Sequence, residues 1–95
     1  MSDYKTLSEY DLLNLLRLGD SIAHTEIYEH YYYLMFVFAY KKLRDEDLAK
    51  DVVQELFVNL WEKKENIAAL NNFTAYLFTI IRNRIFDFTA HQNVK

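Results

Sequence analysis

The near absence of chain-breaking residues is the feature that most constrains this fold. The 95 residues contain no proline and one glycine, and 52% of them are hydrophobic. Folds rich in β-structure need many turns, and turns draw heavily on Gly and Pro. The composition therefore predicts an all-α fold with one domain over residues 1–95, a compact bundle of three main helices plus a short leading helix.

Composition also narrows the class of protein. The absence of cysteine excludes a disulfide framework and thiol metal sites. No N-terminal stretch has the layout of a signal peptide, and the most apolar run, Tyr31–Tyr40, is too short to span a bilayer, so we expect a cytoplasmic protein without a membrane partner. The net charge of −3 gives no overall attraction to nucleic acid; only residues 66–95, with 3 basic and 1 acidic side chains, are positive.

The first third of the chain carries clear helix boundary signals. We expect residues 1–6 to be frayed and Ser8 to cap a short leucine-rich helix, with Asp11 three residues on. Gly19 should end that helix as a C′ glycine, and Asp20 should cap the next one.

A second helix is predicted from about Ser21 to Leu43. Its apolar residues cover nearly the whole circumference, which is typical of a helix buried on several sides, so it should be the central pillar. Its aromatic cluster favours core packing; an exposed binding surface is the alternative.

A third helix is predicted from an N-cap at Asp45 to about Lys64. Its central stretch, Leu48–Trp61, separates into an apolar stripe and a polar outer face that carries Asp51, Gln54 and Glu55. The stripe contains Leu48, Val52, Val53, Leu56, Phe57, Leu60 and Trp61. An irregular loop should follow over residues 65–72, and a last helix should run from near Asn72 to about Ala90.

The sequence offers no support for an enzyme. With one glycine there is no phosphate-binding loop, and no nucleophile–base pair is evident. Glu26 and His30 lie one helical turn apart with His24 nearby, but no third metal ligand has a motif spacing, so a solvated pair is the better interpretation. We predict no catalytic residues, no metal site and no cofactor.

Two segments in this order resemble region 2 of the bacterial sigma-70 family, particularly of its extracytoplasmic-function (ECF) group. They are DVVQELFVNLW, residues 51–61, and FTAYLFTIIRNRIFD, residues 73–87. The leucine-rich first helix, the Gly19-Asp20 break and the aromatic second helix extend the resemblance over about residues 8 to 90. It implies the all-α sigma region 2 fold and a role in transcription initiation.

The resemblance implies that Asp51, Gln54 and Glu55 dock on the clamp helices of the β′ subunit of core RNA polymerase. An acidic-amide patch offers acceptors to a basic coiled coil. For a helix of unknown family, the same patch would simply be a solvated face.

The resemblance further implies that the last helix and the loop before it recognise and melt the promoter −10 element. An unstacked base of the non-template strand would be read by amide and carboxylate groups, and arginines would contact phosphates. Tyr76 is either a stacking surface or a core residue, and the loop asparagines also suit turn and cap roles. Asn83 could instead hydrogen-bond to Asp87 four residues on, and the two arginines could be ordinary surface residues. The residues concerned are Asn71, Asn72, Tyr76, Arg82, Asn83, Arg84 and Asp87.

Two departures from the family pattern matter. Thr79 and residues 89–91 are neutral or nearly so where the family is usually basic, so we expect weak DNA binding by this domain alone. The C-terminal region 4 domain that reads the −35 element has no counterpart here, so we expect a fragment of a longer factor, with a truncated relative as the alternative. An anti-sigma factor is a further expected partner. The alternative to a DNA-binding domain is a helical protein–protein interaction module without a DNA role.

Overall fold

The computed structural model describes residues 4–67 and 72–93, which form four α-helices and no strand. The helices are α1 (Glu9–Arg17), α2 (Ser21–Leu43), α3 (Glu46–Glu62) and α4 (Phe73–Asn93). Short 3-10 turns at Tyr4–Thr6 and Lys64–Asn66 precede α1 and follow α3. The predicted all-α architecture, with three main helices and a short leading one, is confirmed.

Local capping explains where the helices begin. The side chain of Ser8 accepts a hydrogen bond from the backbone N–H of Asp11, Asp20 accepts from Ile22 and Ala23, and Asp45 accepts from Leu48. Each bond satisfies a backbone donor that has no partner within its helix. The three predicted N-caps are therefore confirmed.

The α1–α2 connection depends on the one glycine. Gly19 has φ +92°, a conformation that L side chains rarely adopt, and it accommodates the reversal directly after α1. At the other end of α2, Arg44 takes the left-handed conformation with φ 55° and donates its backbone N–H to Tyr40. A non-glycine residue thus serves as the α2 C-cap.

Helix α2 packs against each of the other three helices, and α3 also packs against α4. Its buried face is a narrow row one turn apart, Ala23, Ile27, Tyr31, Met35 and Ala39. The aromatic cluster divides: Tyr31 joins the core, four other rings are half-buried, and Tyr33 and Tyr40 are 76% and 41% exposed. The core prediction holds for most of the cluster but not for these two tyrosines, which lie outside the faces of α2 that pack against the other helices.

Tyr31 ties three helices together at the centre of the bundle. Its hydroxyl donates to Glu9 of α1 and lies 3.3 Å from the hydroxyl of Thr74 of α4, while its ring meets Phe73 edge-on at 5.5 Å. Burial, followed by the hydrogen bond to Glu9, raises the pKa of Tyr31. The hydroxyl therefore stays protonated, and its hydrogen bond to Glu9 gives this buried polar group a partner.

Within the segment expected to be frayed, Tyr4–Thr6 form a 3-10 turn. Tyr4 donates its hydroxyl to Asp20 at 2.7 Å, and the ammonium of Lys5 lies 3.5 Å from both Glu26 and Glu29. These contacts hold the 3-10 turn against the start of α2. Residues 1–3 lie outside the described residues.

The C-terminal ends of two helices also differ from the prediction. Helix α3 ends at Glu62, and Lys64–Asn66 form a 3-10 turn that carries Ile67 into the core with 2% exposure. Helix α4 begins at Phe73 and extends to Asn93, three residues beyond the predicted end.

Candidate functional site

The outer face of α3 presents the three residues predicted to dock on polymerase. The opposite face of α3 is buried, which leaves Asp51, Gln54 and Glu55 exposed on one side of the helix. The buried residues are Ala49, Val52, Val53, Leu56, Phe57 and Leu60. The burial pattern therefore orients the three polar side chains outward.

Each of the three side chains has a different environment. Asp51 makes no hydrogen bond or ion pair with any described residue, so its carboxylate is available. Gln54 donates its side-chain amide to the hydroxyl of Tyr28 on α2 at 3.1 Å. Glu55 forms an ion pair with the guanidinium of Arg84 on α4, and Arg84 Nε lies 3.0 Å from Glu55 Oε1. Gln54 thus connects α3 to α2, and Glu55 connects α3 to α4.

The surface around this triplet is acidic. Helix α3 carries Glu46, Asp47 and Glu62 in addition to Asp51 and Glu55, and its one cation, Lys50, is paired with Glu46 at 3.1 Å. Val58 adds an apolar contact point with 54% exposure. Such a face complements a basic helical partner.

Helix α4 presents a second polar row. Its apolar residues Phe73, Leu77, Ile81 and Ile85 are buried, and at about 100° per residue this leaves positions 83 and 87 outside the buried row. Asn83 and Asp87 are exposed one turn apart. Among the described residues, neither forms a hydrogen bond or ion pair through its side chain, so both remain free to meet a ligand.

Two of the predicted DNA contacts also have structural roles. The side chain of Asn72 accepts a hydrogen bond from the backbone N–H of Ala75 at 3.0 Å and caps α4. Tyr76 is half-buried, with its ring 6.3 Å from that of Phe73 at the edge of the core. Asn71 lies outside the described residues.

The two arginines predicted to contact phosphate lie on opposite flanks of α4. Arg84 points towards α3, where it pairs with Glu55. Arg82 lies beside α2 with Lys42 and Phe38. The ion pair between Arg84 and Glu55 joins the predicted docking face to the predicted DNA-binding helix.

The sequence did not predict that Tyr28 lies beside Gln54, or that Lys42 and Phe86 lie beside Arg82. Tyr28 contacts Gln54, and Lys42 and Phe86 lie together between α2 and α4. The 69% exposure of Phe86 depends on how the helices cross. The available sequence signal was the spacing of Arg82 and Phe86 one turn apart on a flank of α4.

The side chains considered as a weak metal site have other contacts, and the ring of His30 meets that of Tyr31 edge-on at 4.9 Å. His24 forms a 2.9 Å hydrogen bond between its Nε2 and the backbone oxygen of Phe57, and Glu26 pairs with Lys5. Within residues 4–67 and 72–93, no three His, Cys, Asp or Glu side chains come together in a way that would hold a metal ion. No helix in the described part of the chain has the length and apolarity needed to cross a membrane.

Comparison with known proteins identifies the family. The family model for Sigma-70 region 2 matches residues 27–93, well over half of the chain. A probable RNA polymerase sigma factor of Haemophilus influenzae (strain ATCC 51907 / DSM 11121 / KW20 / Rd) is 33% identical over 54 residues, which is 57% of this chain and 28% of that relative's length. No solved structure matches the chain. The chain belongs to the Sigma-70 region 2 family of transcription initiation factor domains.

Proposed function

We propose that this chain is the region 2 domain of an ECF-group sigma factor. In this role it docks on the β′ clamp helices of core RNA polymerase through α3 and captures an unstacked non-template base of the −10 element through α4. The observation that carries the proposal is the placement of two exposed polar rows, Asp51–Glu55 and Asn83–Asp87, on neighbouring helices of a sigma region 2 fold.

Docking is supported by the charge and exposure of α3. Asp51 offers a free carboxylate, and Glu55 lies one turn away on the same outer face. Arginine side chains of a basic coiled coil bind carboxylates through paired, charge-assisted hydrogen bonds. Because the rim of this face is solvated, these contacts would set the register and the association rate as well as the affinity.

Base capture is supported by the chemistry of the row on α4. An amide such as that of Asn83 donates and accepts hydrogen bonds, and the carboxylate of Asp87 accepts from an exocyclic amine, so together they can read the edge of a flipped base. Unstacking a base costs a few kcal/mol, and a site that binds only the flipped base shifts the equilibrium towards the open strand.

The proposal implies a defined set of partners. They are core RNA polymerase, single-stranded promoter DNA and an anti-sigma factor, all acting in the cytoplasm where transcription takes place. The polymerase performs the chemistry, so the domain acts by binding alone and uses no cofactor.

A DNA-binding experiment tests the proposal. We would titrate labelled single strands carrying randomised −10-like hexamers, select the preferred sequence, and compare it with a scrambled strand and with duplex. The wild-type chain should prefer one single-stranded sequence, and Asn83→Ala should lose about 1–3 kcal/mol of that discrimination, the usual value of one base-edge contact.

Asn14→Ala provides the matched control, because it removes an asparagine from α1, where Asn14 contacts Arg17. It should leave the sequence preference intact. Equal affinity of the folded wild type for all strands would contradict the DNA role.

A helical protein–protein interaction module is the second candidate function. It is favoured by the scarcity of free cations on α4, where Arg84 is engaged by Glu55, and by the net charge of −3. It predicts no sequence preference in the same titration, with partner binding through α3 retained.

A further inference from the structure

A groove runs between the C-terminal halves of α2 and α4. It has a volume of about 500 Å³ and is lined by Phe38, Lys42, Arg82, Ile85, Phe86 and Thr89. Phe38 and Lys42 come from α2, and the other four residues come from α4. The groove therefore exists only where these two helices pack together.

The polar character of the groove is positive. No carboxylate lines it, and neither Lys42 nor Arg82 forms an ion pair within the described part of the chain. The ammonium of Lys42 lies 5.6 Å from the centre of the Phe38 ring, which keeps this cation over the groove. The groove is therefore locally positive although the chain has a net charge of −3, and it favours an anionic ligand.

The apolar lining offers an accessible aromatic ring. Phe86 is 69% exposed, whereas Phe38 is half-buried and meets Phe78 edge-on at 5.1 Å. The hydroxyl of Thr89 bonds to the backbone oxygens of Ile85 and Phe86 in its own helix. Any ligand would thus find a fixed floor, one free aromatic ring and two cations.

We infer that this groove binds a nucleotide of single-stranded DNA, with its base against Phe86 and its phosphates beside Lys42 and Arg82. The inference rests on the proposed DNA-binding function and extends it from α4 to α2. Successive bases stack on exposed aromatic rings while cations follow the backbone, and this is the combination of groups in the groove. Arg82 lines the groove and directly precedes Asn83, so the groove lies next to the residue proposed to read the strand.

An acidic peptide is the competing occupant, but two features favour DNA. Among the described residues, the groove supplies two cations, and the Thr89 hydroxyl already donates its proton within its own helix, so it offers little to the hydrogen bonds of a peptide backbone. It also adjoins the polar row of Asn83 and Asp87, which a strand would already occupy under the proposed function.

The test is a series of single-strand titrations at several salt concentrations, using the strand preferred by the wild-type chain. Phe86→Leu keeps an apolar side chain and removes the stacking ring, so its affinity should fall about 5- to 150-fold. Phe86→Trp should retain the wild-type affinity. Lys42→Ala should lower the slope of log affinity against log salt by about 0.7, the value for one phosphate contact on a single strand.

Lys41→Ala is the matched control, because Lys41 is the adjacent exposed lysine and does not line the groove. It should leave the slope closer to wild type than Lys42→Ala does. Hydroxyl-radical footprinting of the wild-type chain provides a second measurement that needs no variant. DNA should protect Phe86 from oxidation and leave Tyr33, 76% exposed, as an unprotected reference.

The outcomes separate this inference from the function on which it rests. If the wild type binds its strand in an Asn83-dependent way while the Phe86 and Lys42 variants bind equally well, the groove does not hold DNA and the proposed function stands. The same result combined with protection of Phe86 by an acidic peptide would assign the groove to a protein partner. If the folded wild type binds no single strand, both the proposed function and this inference fail.

Discussion

The ion pair between Glu55 and Arg84 makes a specific prediction about DNA binding. Glu55 belongs to the proposed docking face on α3, and Arg84 belongs to the proposed DNA-binding helix α4. While the pair is intact, Arg84 is partly neutralised and must give up Glu55 before it can contact a phosphate. Glu55→Gln should therefore strengthen DNA binding.

The geometry of the pair bounds the size of this effect. The two side chains are 44% and 53% exposed, so water screens their attraction despite the 3.0 Å separation. Exposed pairs contribute about 0.2–1 kcal/mol, which corresponds to roughly a 1.4- to 5-fold gain in affinity when Arg84 is released. The salt dependence should steepen by up to about 0.7 in the log–log slope, since one more cation displaces counterions from the strand.

The assay is single-strand binding at several salt concentrations, with Asp51→Asn as the control. Asp51 lies one turn from Glu55 and forms no ion pair within the described residues, so its substitution removes the same charge without releasing Arg84. In an Arg84→Gln background, Glu55→Gln should have no more effect than Asp51→Asn. Equal gains from Glu55→Gln and Asp51→Asn with Arg84 present would refute the reasoning.

Three further predictions concern stability. Gly19→Ala should cost about 1–3 kcal/mol in urea unfolding, because φ is +92° while the added Cβ meets only the Lys64 side chain at 3.8 Å; an unchanged midpoint would show that the turn relaxes. Leu77→Ala should cost about 2–5 kcal/mol, because Leu77 has 0% exposure, and a loss below 1 kcal/mol would contradict this packing. The Tyr4 hydroxyl, followed by backbone N–H groups, holds the pKa of Asp20 below its ordinary 3.8, so its stabilisation is present above that pH and is lost as the pH falls through the lowered value. The thermal destabilisation by Tyr4→Phe should therefore be larger at pH 7 than at the acid end of a pH series, and an equal loss throughout would contradict the coupling.

The starts of the helices were predictable from sequence, because N-caps depend on neighbours in the chain. Ser8, Asp20 and Asp45 each cap donors two or three residues away, so the residue types and spacing suffice. Gly19 acts through its own backbone dihedral angle. The exposure of Asp51 also follows from the period of the α3 apolar stripe.

The positions of side chains between helices were not predictable in the same way. Arg82 and Arg84 are two residues apart and received the same role from the sequence, yet one faces α2 and the other pairs with Glu55 of α3. Which flank meets which helix depends on how the helices pack, and local periodicity does not contain that information. The same reason explains why the anchoring of Tyr4 on Asp20, 16 residues away, was missed.

Asn72 shows how one residue type can satisfy two predictions. Its amide oxygen caps α4, which accounts for the residue without any DNA contact. The DNA contact of Asn72 stays a prediction. The substitution Asn72→Ser tests it separately from the cap, because serine caps helices about as well as asparagine and lacks the amide.

Calorimetric binding to an isolated β′ clamp-helix fragment tests the central claim most directly. The wild-type chain should bind with micromolar or tighter affinity, and Asp51→Arg/Glu55→Arg should abolish binding because it reverses the charge of the docking face. Asp11→Arg/Glu65→Arg, which makes the same charge change at two exposed residues outside α3, should bind like the wild type. Absence of binding by a wild-type chain that circular dichroism shows to be folded would contradict the account.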